Sequence, residues 1–485
     1  MRKLEGLGGD KIFYYFEEIC NIPHGSGNEM ALSNYIAAFA KERGLYCRQD
    51  DHYNILIKKA GSKGYEEAPP VILQGHIDMV CEKNAGTEID FLTDAIDIYT
   101  EDGFIHARGT TLGADDGIAV AYMLALLDDT TLEHPPIEAI FTVDEEMGMG
   151  GARAFDVFDV EGKRFLNMDT EEEGVLLSGC AGGRRVRLYL PAEREKSAPD
   201  REAYLISVRG LKGGHSGADI HLQRANANRL LGRILYMLRE KADFALAGID
   251  GGNMDNAICR EAEAIVLLEK SGADAAREVL AKAEDVLREE YNSAEASITI
   301  TMEVLQEKVF QVFTEETKNK AISTLLLLPY GVQTMSMEME GLVESSSNIG
   351  IVKTTDEYIY FDNAVRSSVE SRKELISQKI HAIGSLAGAR CEEVNDYPGW
   401  RFNPESSMLK LFAEVYLERY GKEAEISAIH AGLECGLFSE KIPGLDMVSI
   451  GPEMYDVHTP DERLSISSAI RVWGFLKAVL KKMDH

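Results

Sequence analysis

At 485 residues, 45% of them hydrophobic, the chain is long enough for two or more domains that each bury a core. A formal charge of -30, with no basic patch to offset it, repels nucleic acid and anionic membranes and argues against either as the main partner. The seven cysteines are scattered without any Cys-x-x-Cys spacing and no stretch reaches the roughly 18 apolar residues of a membrane span, so disulfide-framework, thiolate-zinc and membrane classes give way to a protein of the reducing cytoplasm.

Phe13, Phe16 and Ile19, then Leu32, Ile36 and Phe39, recur at helical spacing and predict two helices between residues 12 and 43, broken at the turn-rich Pro23-His24-Gly25-Ser26-Gly27. Short apolar runs predict buried strands over 54–58, 71–73 and 137–143, with a buried helix over 117–127 between the last two. Strands alternating with helices predict an α/β fold, a mostly parallel sheet with helices on both faces. Near residues 191–200 the sequence turns polar and a new rhythm begins: strand 204–208, helix 224–239, strand 264–268, helix 275–290, strand 297–304. That is similar to a β-α-β-β-α-β ferredoxin-like sandwich. Strands over 348–353 and 357–363, a helix over 371–386 and a strand near Cys391 give room for a second such unit. The expected division is a catalytic domain over 1–185 and 395–485, ending in an amphipathic helix over 466–482, with an inserted α+β lid over 186–394.

Each cluster of chemistry-bearing residues follows an apolar, β-branched run, where a sheet presents its functional groups. In Gly75-His76-Ile77-Asp78 the residues two apart face the same way on an extended chain, so Asp78 can hold the second ring N–H of His76; alone, the pair also fits an ordinary turn. Gly113-Ala114-Asp115-Asp116-Gly117 sets paired acids between glycines, an arrangement that asks for a cation or caps a helix. Asp144-Glu145-Glu146 ends a strand, so neighbouring acids can point to different sides, one to a metal and one free as a base. Asp169 ends the run Arg164 to Met168, and His458 stands in Val457-His458-Thr459-Pro460 before the final helix. Two imidazoles and three carboxylates, one of them shared, nearly neutralise two divalent ions, and the nitrogen and oxygen set suits zinc, manganese or cobalt. Two such ions acidify a water and stabilise an oxyanion.

These residues, with Gly-Leu-Lys-Gly-Gly-His-Ser-Gly, His-Ala-Gly-Leu-Glu-Cys-Gly and His-Thr-Pro-Asp-Glu-Arg-Leu, resemble the dinuclear-zinc peptidase family that includes aminoacylase, carnosinase and the bacterial tripeptidases, and within it the branch that cleaves Xaa-His dipeptides. The resemblance runs over essentially the whole chain. It implies that His76 and Asp169 bind one metal, Glu146 and His458 the other, and that Asp115 bridges both, with a cis peptide after it. It further implies Glu145 as general base and Asp78 as the residue orienting His76. His215 would stabilise the oxyanion from the lid, Arg366 would bind the substrate carboxylate, and Asn256, His430 and Glu434 would line the pocket. The implied activity is hydrolysis of unblocked dipeptides, Xaa-His and broader, by a monomer or homodimer acting on small peptides. A tripeptidase, a carboxypeptidase or an N-acyl-amino-acid amidohydrolase with the same metal centre is the alternative.

Overall fold

The computed structural model describes residues 2–9 and 11–483. It separates into two compact units: one holds the chain up to Gly179, Phe402–Ala428 and the chain from Leu433 onward, and the other holds Cys180–Arg401 and Ile429–Gly432.

The first unit is built on an eight-stranded sheet in the order Tyr46–Gln49, Ile55–Lys59, Ile137–Thr142, Val71–His76, Arg164–Asn167, Asp446–Ser449, Val175–Cys180, Glu425–Ile429. The parallel pairing expected from the alternation of strands and helices holds for the four central strands, Ile137–Thr142 through Asp446–Ser449. Outside them Tyr46–Gln49 and Ile55–Lys59 run antiparallel, because a short turn and no crossover helix joins them.

Side-chain alternation divides these strands between two buried faces. Val71 and Leu73 join the large core with Ile55, Ile57, Ala139 and Phe141. Ile72, in register with Phe165, faces the other way, where Phe155 and Phe165 pack on Phe438 of the helix Glu434–Lys441. Strands covered on both faces need continuous apolar runs, and each fully buried side chain contributes about 1.5–3 kcal/mol.

The helix Ala114–Asp128 is apolar on every side, with Ile118, Val120, Met123, Leu124 and Leu126 all fully buried. It has no solvent face to lose, which fixes its position under the sheet end and with it the acids of its first turn. The N-terminal helices are Ile12–Cys20 and Met30–Glu42, and the final helix is Ile466–Lys481. Four of the seven cysteines, Cys20, Cys180, Cys259 and Cys435, are buried, and no disulfide joins any two of them among the described residues. No helix among the described residues is long and apolar enough to cross a membrane.

The second unit carries a continuous sheet in the order Thr299–Val304, Arg201–Arg209, Ala262–Glu269, Phe244–Gly251, Val343–Thr354, Tyr358–Ser367, Gly182–Pro191, Arg390–Tyr397, with Gly331–Met335 paired beside Val343–Thr354. Strands Arg201–Arg209, Phe244–Gly251, Ala262–Glu269 and Thr299–Val304, numbered in chain order, lie 4-1-3-2 and antiparallel. Gly182–Pro191, Val343–Thr354, Tyr358–Ser367 and Arg390–Tyr397 repeat that order. The first set is inserted after the opening strand of the second, and the two sheets meet at the single pair Gly251 and Val352.

Candidate metal centre

Five chain segments meet at the carboxyl ends of the central parallel strands, the loop with His458 between Met454–Tyr455 and Arg463–Ser465 among them. Val71–His76 delivers His76 and Asp78; Ile137–Thr142 runs into the acids 144–146; Arg164–Asn167 precedes Asp169. The buried helix contributes Asp115 from its first turn, where Gly113 adopts φ 71° and the Asp115–Asp116 peptide is cis. At Asp144 the backbone turns through φ 55°, just before Glu145 and Glu146.

The five expected ligands stand together. Asp115 places Oδ1 3.1 Å from Nε2 of His76 and Oδ2 3.1 Å from Nε2 of His458. His76 Nε2 also lies 3.5 Å from Asp169, and His458 Nε2 lies 2.9 Å from Glu146. Separations of this size are those of donors sharing one tetrahedral ion, about 3.3 Å for bonds near 2.0–2.1 Å. Glu145 lies within 4.8 Å of both His76 and Glu146.

Behind the ligands, Asp78 is fully buried and its carboxylate faces His76 Nδ1 at 3.4 Å. It also accepts the Ser26 hydroxyl at 2.8 Å and the backbone N–H groups of Glu145 and Glu146 at 3.0 and 3.2 Å. Asp116, the second of the paired acids, accepts the His76 backbone N–H at 3.3 Å. A Cβ on Gly75 would fall 2.6 Å from that Asp116 carboxylate, so only glycine fits beneath the histidine.

Two further acids hold the surroundings of the site: Glu462, to which the sequence assigns no role, and Glu434, expected to line the substrate pocket. Glu462 accepts the N–H groups of Leu112, Gly113 and Ala114 at 2.7, 3.2 and 2.8 Å and so holds the loop before Asp115. Glu434, fully buried, accepts Gln74 at 2.5 Å and Thr142 at 2.7 Å, while its Oε1 has no partner. Gln74 in turn accepts Asn167 at 2.8 Å, and Asn167 accepts Ser449, which makes a polar row across four adjacent strands one layer below the ligands.

Electrostatics asks for positive charge here. Burial pushes Asp169 and Glu434 up to about 7 and Glu145 well above the carboxylate range. His458 is raised to about 11 by Asp115 and then Glu146. Burial acts downward on His76, yet Asp115, Asp169 and Asp78 together hold it well above its ordinary value. Ring nitrogens converging on carboxylate oxygens need a cation between them, and this donor set fits two divalent ions.

In the second unit, His215, Arg366 and His430 form a separate cluster around Gly217. A Cβ on Gly217 would meet the His430 carbonyl at 2.5 Å, His215 Cε1 at 3.1 Å and Arg366 Cζ at 3.3 Å. His215 pairs in register with Ala257, and its neighbour Ser216 donates its N–H to the Asn256 carbonyl at 2.8 Å. The N–H groups of Gly217 and Ala218 donate to His215 Nδ1 at 3.2 and 3.0 Å. With Nδ1 an acceptor, the neutral ring carries its hydrogen on Nε2. Burial first, and Arg366 second, lower the His215 pKa and keep the ring neutral. His430 Nε2 lies 2.7 Å from the Ser346 hydroxyl. Arg366 is buried and has no carboxylate partner among the described residues; its one side-chain hydrogen bond goes to the Tyr397 hydroxyl at 3.1 Å.

Residues 72–482 match the peptidase family M20/M25/M40. The chain belongs to this family. Its relatives include the cytosol non-specific dipeptidase of Escherichia coli (strain K12), 37% identical over 484 residues that cover 100% of this chain and 99% of that protein. Among solved structures it is similar to the aminoacylhistidine dipeptidase of Vibrio alginolyticus, with 38% identity, a TM-score of 0.91 and coverage of 97% and 96% of the two chains. The aminopeptidase PepT of Bacillus cereus ATCC 10987 shares the fold at 13% identity, with a TM-score of 0.57 over 99% of this chain and 100% of its own.

Proposed function

We propose that this peptidase is a cytoplasmic dipeptidase that hydrolyses unblocked dipeptides, Xaa-His among them, at a two-zinc centre held by His76, Asp169, Glu146 and His458 with Asp115 shared. The observation that carries the reading is Asp115 standing between the two histidines with one oxygen towards each, the position of a bridging ligand. Relatives named as dipeptidases at 37% and 38% identity over nearly the full chain favour a dipeptidase over the tripeptidase, carboxypeptidase or amidohydrolase alternatives.

When bound, the two ions supply the Lewis acidity that acidifies a water and polarises the peptide carbonyl. Glu145 takes the proton from that water and passes it to the leaving amine. Its carboxyl, within 4.8 Å of the donor atoms of His76 and Glu146, supports this role by its place beside the ligands. His215 donates Nε2–H to the developing oxyanion, and the two backbone N–H groups on its Nδ1 fix that tautomer. Arg366 binds the C-terminal carboxylate of the peptide, which its burial without an anionic partner supports. Asn256 and His430 of the second unit and Glu434 of the first are the further candidates for substrate contact.

A substrate panel tests the reading: a free Xaa-His dipeptide, a free hydrophobic dipeptide, a tripeptide and an N-acyl amino acid. Cleavage confined to the free dipeptides is expected. Turnover of the acylated compound alone would move the function to an amidohydrolase.

A further inference from the structure

Ser346, Arg366, Gly183 and Tyr397 stand in one row across four neighbouring strands: Arg366 is in register with Ser346 on one side and Gly183 on the other, and Gly183 with Tyr397. Residues in register share a face of the sheet. Gly183 therefore leaves an empty lane between Arg366 and Tyr397, and the tyrosine ring lies across it; a Cβ there would collide with the phenol hydroxyl and ring. Gly432 closes the ring in from another direction, since a Cβ on it would meet Tyr397 Cε2 at 2.9 Å. The Tyr397 backbone is pinned as well, because buried Lys373 donates to its carbonyl at 2.8 Å and to Asp396 at 2.7 Å.

The hydroxyl at the end of this braced ring meets one nitrogen of Arg366, Nη1, at 3.1 Å. Nε is buried without a partner, and Nη2 has no hydrogen bond to a described residue. Nε and Nη2 form the side edge of a guanidinium, one of the two edges that accept a carboxylate through parallel N–H bonds.

We propose that Tyr397 is the positioning residue of carboxylate recognition: it occupies Nη1 of Arg366 and thereby presents the Nε–Nη2 edge to the C-terminal carboxylate of the peptide. The inference rests on the assignment of Arg366 to that carboxylate and adds which edge binds and what holds it. Tyr397 does not touch the reacting atoms, so its loss weakens binding of the acid and leaves the chemical step alone.

The test compares a free dipeptide with its C-terminal amide in the full-length enzyme. Tyr397→Phe keeps the ring and removes the hydroxyl. It is expected to raise KM for the free dipeptide about tenfold, with kcat held within about twofold and KM for the amide unmoved, the scale of one hydrogen bond to a charged group. Gly183→Ala, whose methyl displaces the hydroxyl without altering Tyr397, is expected to give the same split. In an Arg366→Lys background Tyr397→Phe should add nothing. An unchanged KM for the acid in both variants would overturn the proposal, and so would a parallel rise for acid and amide, which marks general loosening. If the wild-type enzyme cleaves acid and amide equally well, the assignment of Arg366 itself falls.

Discussion

The carboxylate of Asp78 accepts the backbone N–H of Glu145 at 3.0 Å while facing Nδ1 of His76 at 3.4 Å. One buried acid thus stands behind a proposed metal ligand, whose Nδ1 also meets the Asp78 backbone carbonyl at 3.1 Å, and holds the loop that carries the proposed base. Asp78→Ala should cost about 10- to 100-fold in metal affinity or turnover, the usual effect of removing a carboxylate behind a ligating histidine. Metal titration of the variant by calorimetry checks this; wild-type affinity and turnover would contradict it.

Glu145→Gln removes the proposed base and keeps the shape of the site. Metal should stay bound while kcat falls by at least ~10². Elemental analysis beside steady-state kinetics reads both quantities, and full turnover in this variant would dismiss Glu145 as the base.

Replacing Asp115 with Ala removes the contact common to His76 and His458. Occupancy of both metal positions should drop together, measurable as metal per chain after gel filtration. Full retention would count against sharing.

Glu462 satisfies three consecutive backbone N–H groups ahead of Asp115. Glu462→Ala leaves these buried donors without acceptors, at about 1–3 kcal/mol each before relaxation, and should lower both the unfolding midpoint and metal affinity. A variant with unaltered midpoint and metal binding would show that the loop holds itself.

His430 is lowered to about 3, first by burial and then by Arg366. An unfolded histidine titrates near 6.5, so between about 6.5 and 3 the unfolded chain binds a proton that the folded one refuses. Stability from this residue is complete above about 6.5 and is lost as pH falls through that window, by about 2 kcal/mol at pH 5 relative to pH 7. Urea unfolding at the two pH values should show a smaller difference for His430→Gln than for the wild type.

The residues of the candidate metal site were legible as a group because they follow their own strands within a few positions: His76 and Asp78 after 71–73, Glu145 and Glu146 after 137–143, Asp169 after Arg164 to Met168. Local apolar runs also gave the helices at both ends and most strands of the second unit. Less legible was whatever depends on distant partners. Glu434 meets Gln74, which lies 360 residues away in the chain, and Glu462 meets Leu112 from 350 away. Tyr397 reaches Arg366 only because Gly183 lies between them in the sheet. In the strands Gly182–Pro191 and Phe244–Gly251 arginines and glycines interrupt the apolar pattern, and burial in a continuous sheet overrides that composition. Gly150 and Gly151 open the short helix Gly150–Ala154, secured by the Gly151 N–H on the Val143 carbonyl at 2.9 Å.

The most direct test of the central claim is the number of metal ions per chain in the purified enzyme, measured by elemental analysis with dipeptide hydrolysis followed before and after chelation. Two ions per chain, with activity lost on chelation and restored by zinc, is the predicted result. A protein that holds no metal and cleaves the dipeptide regardless would contradict the account.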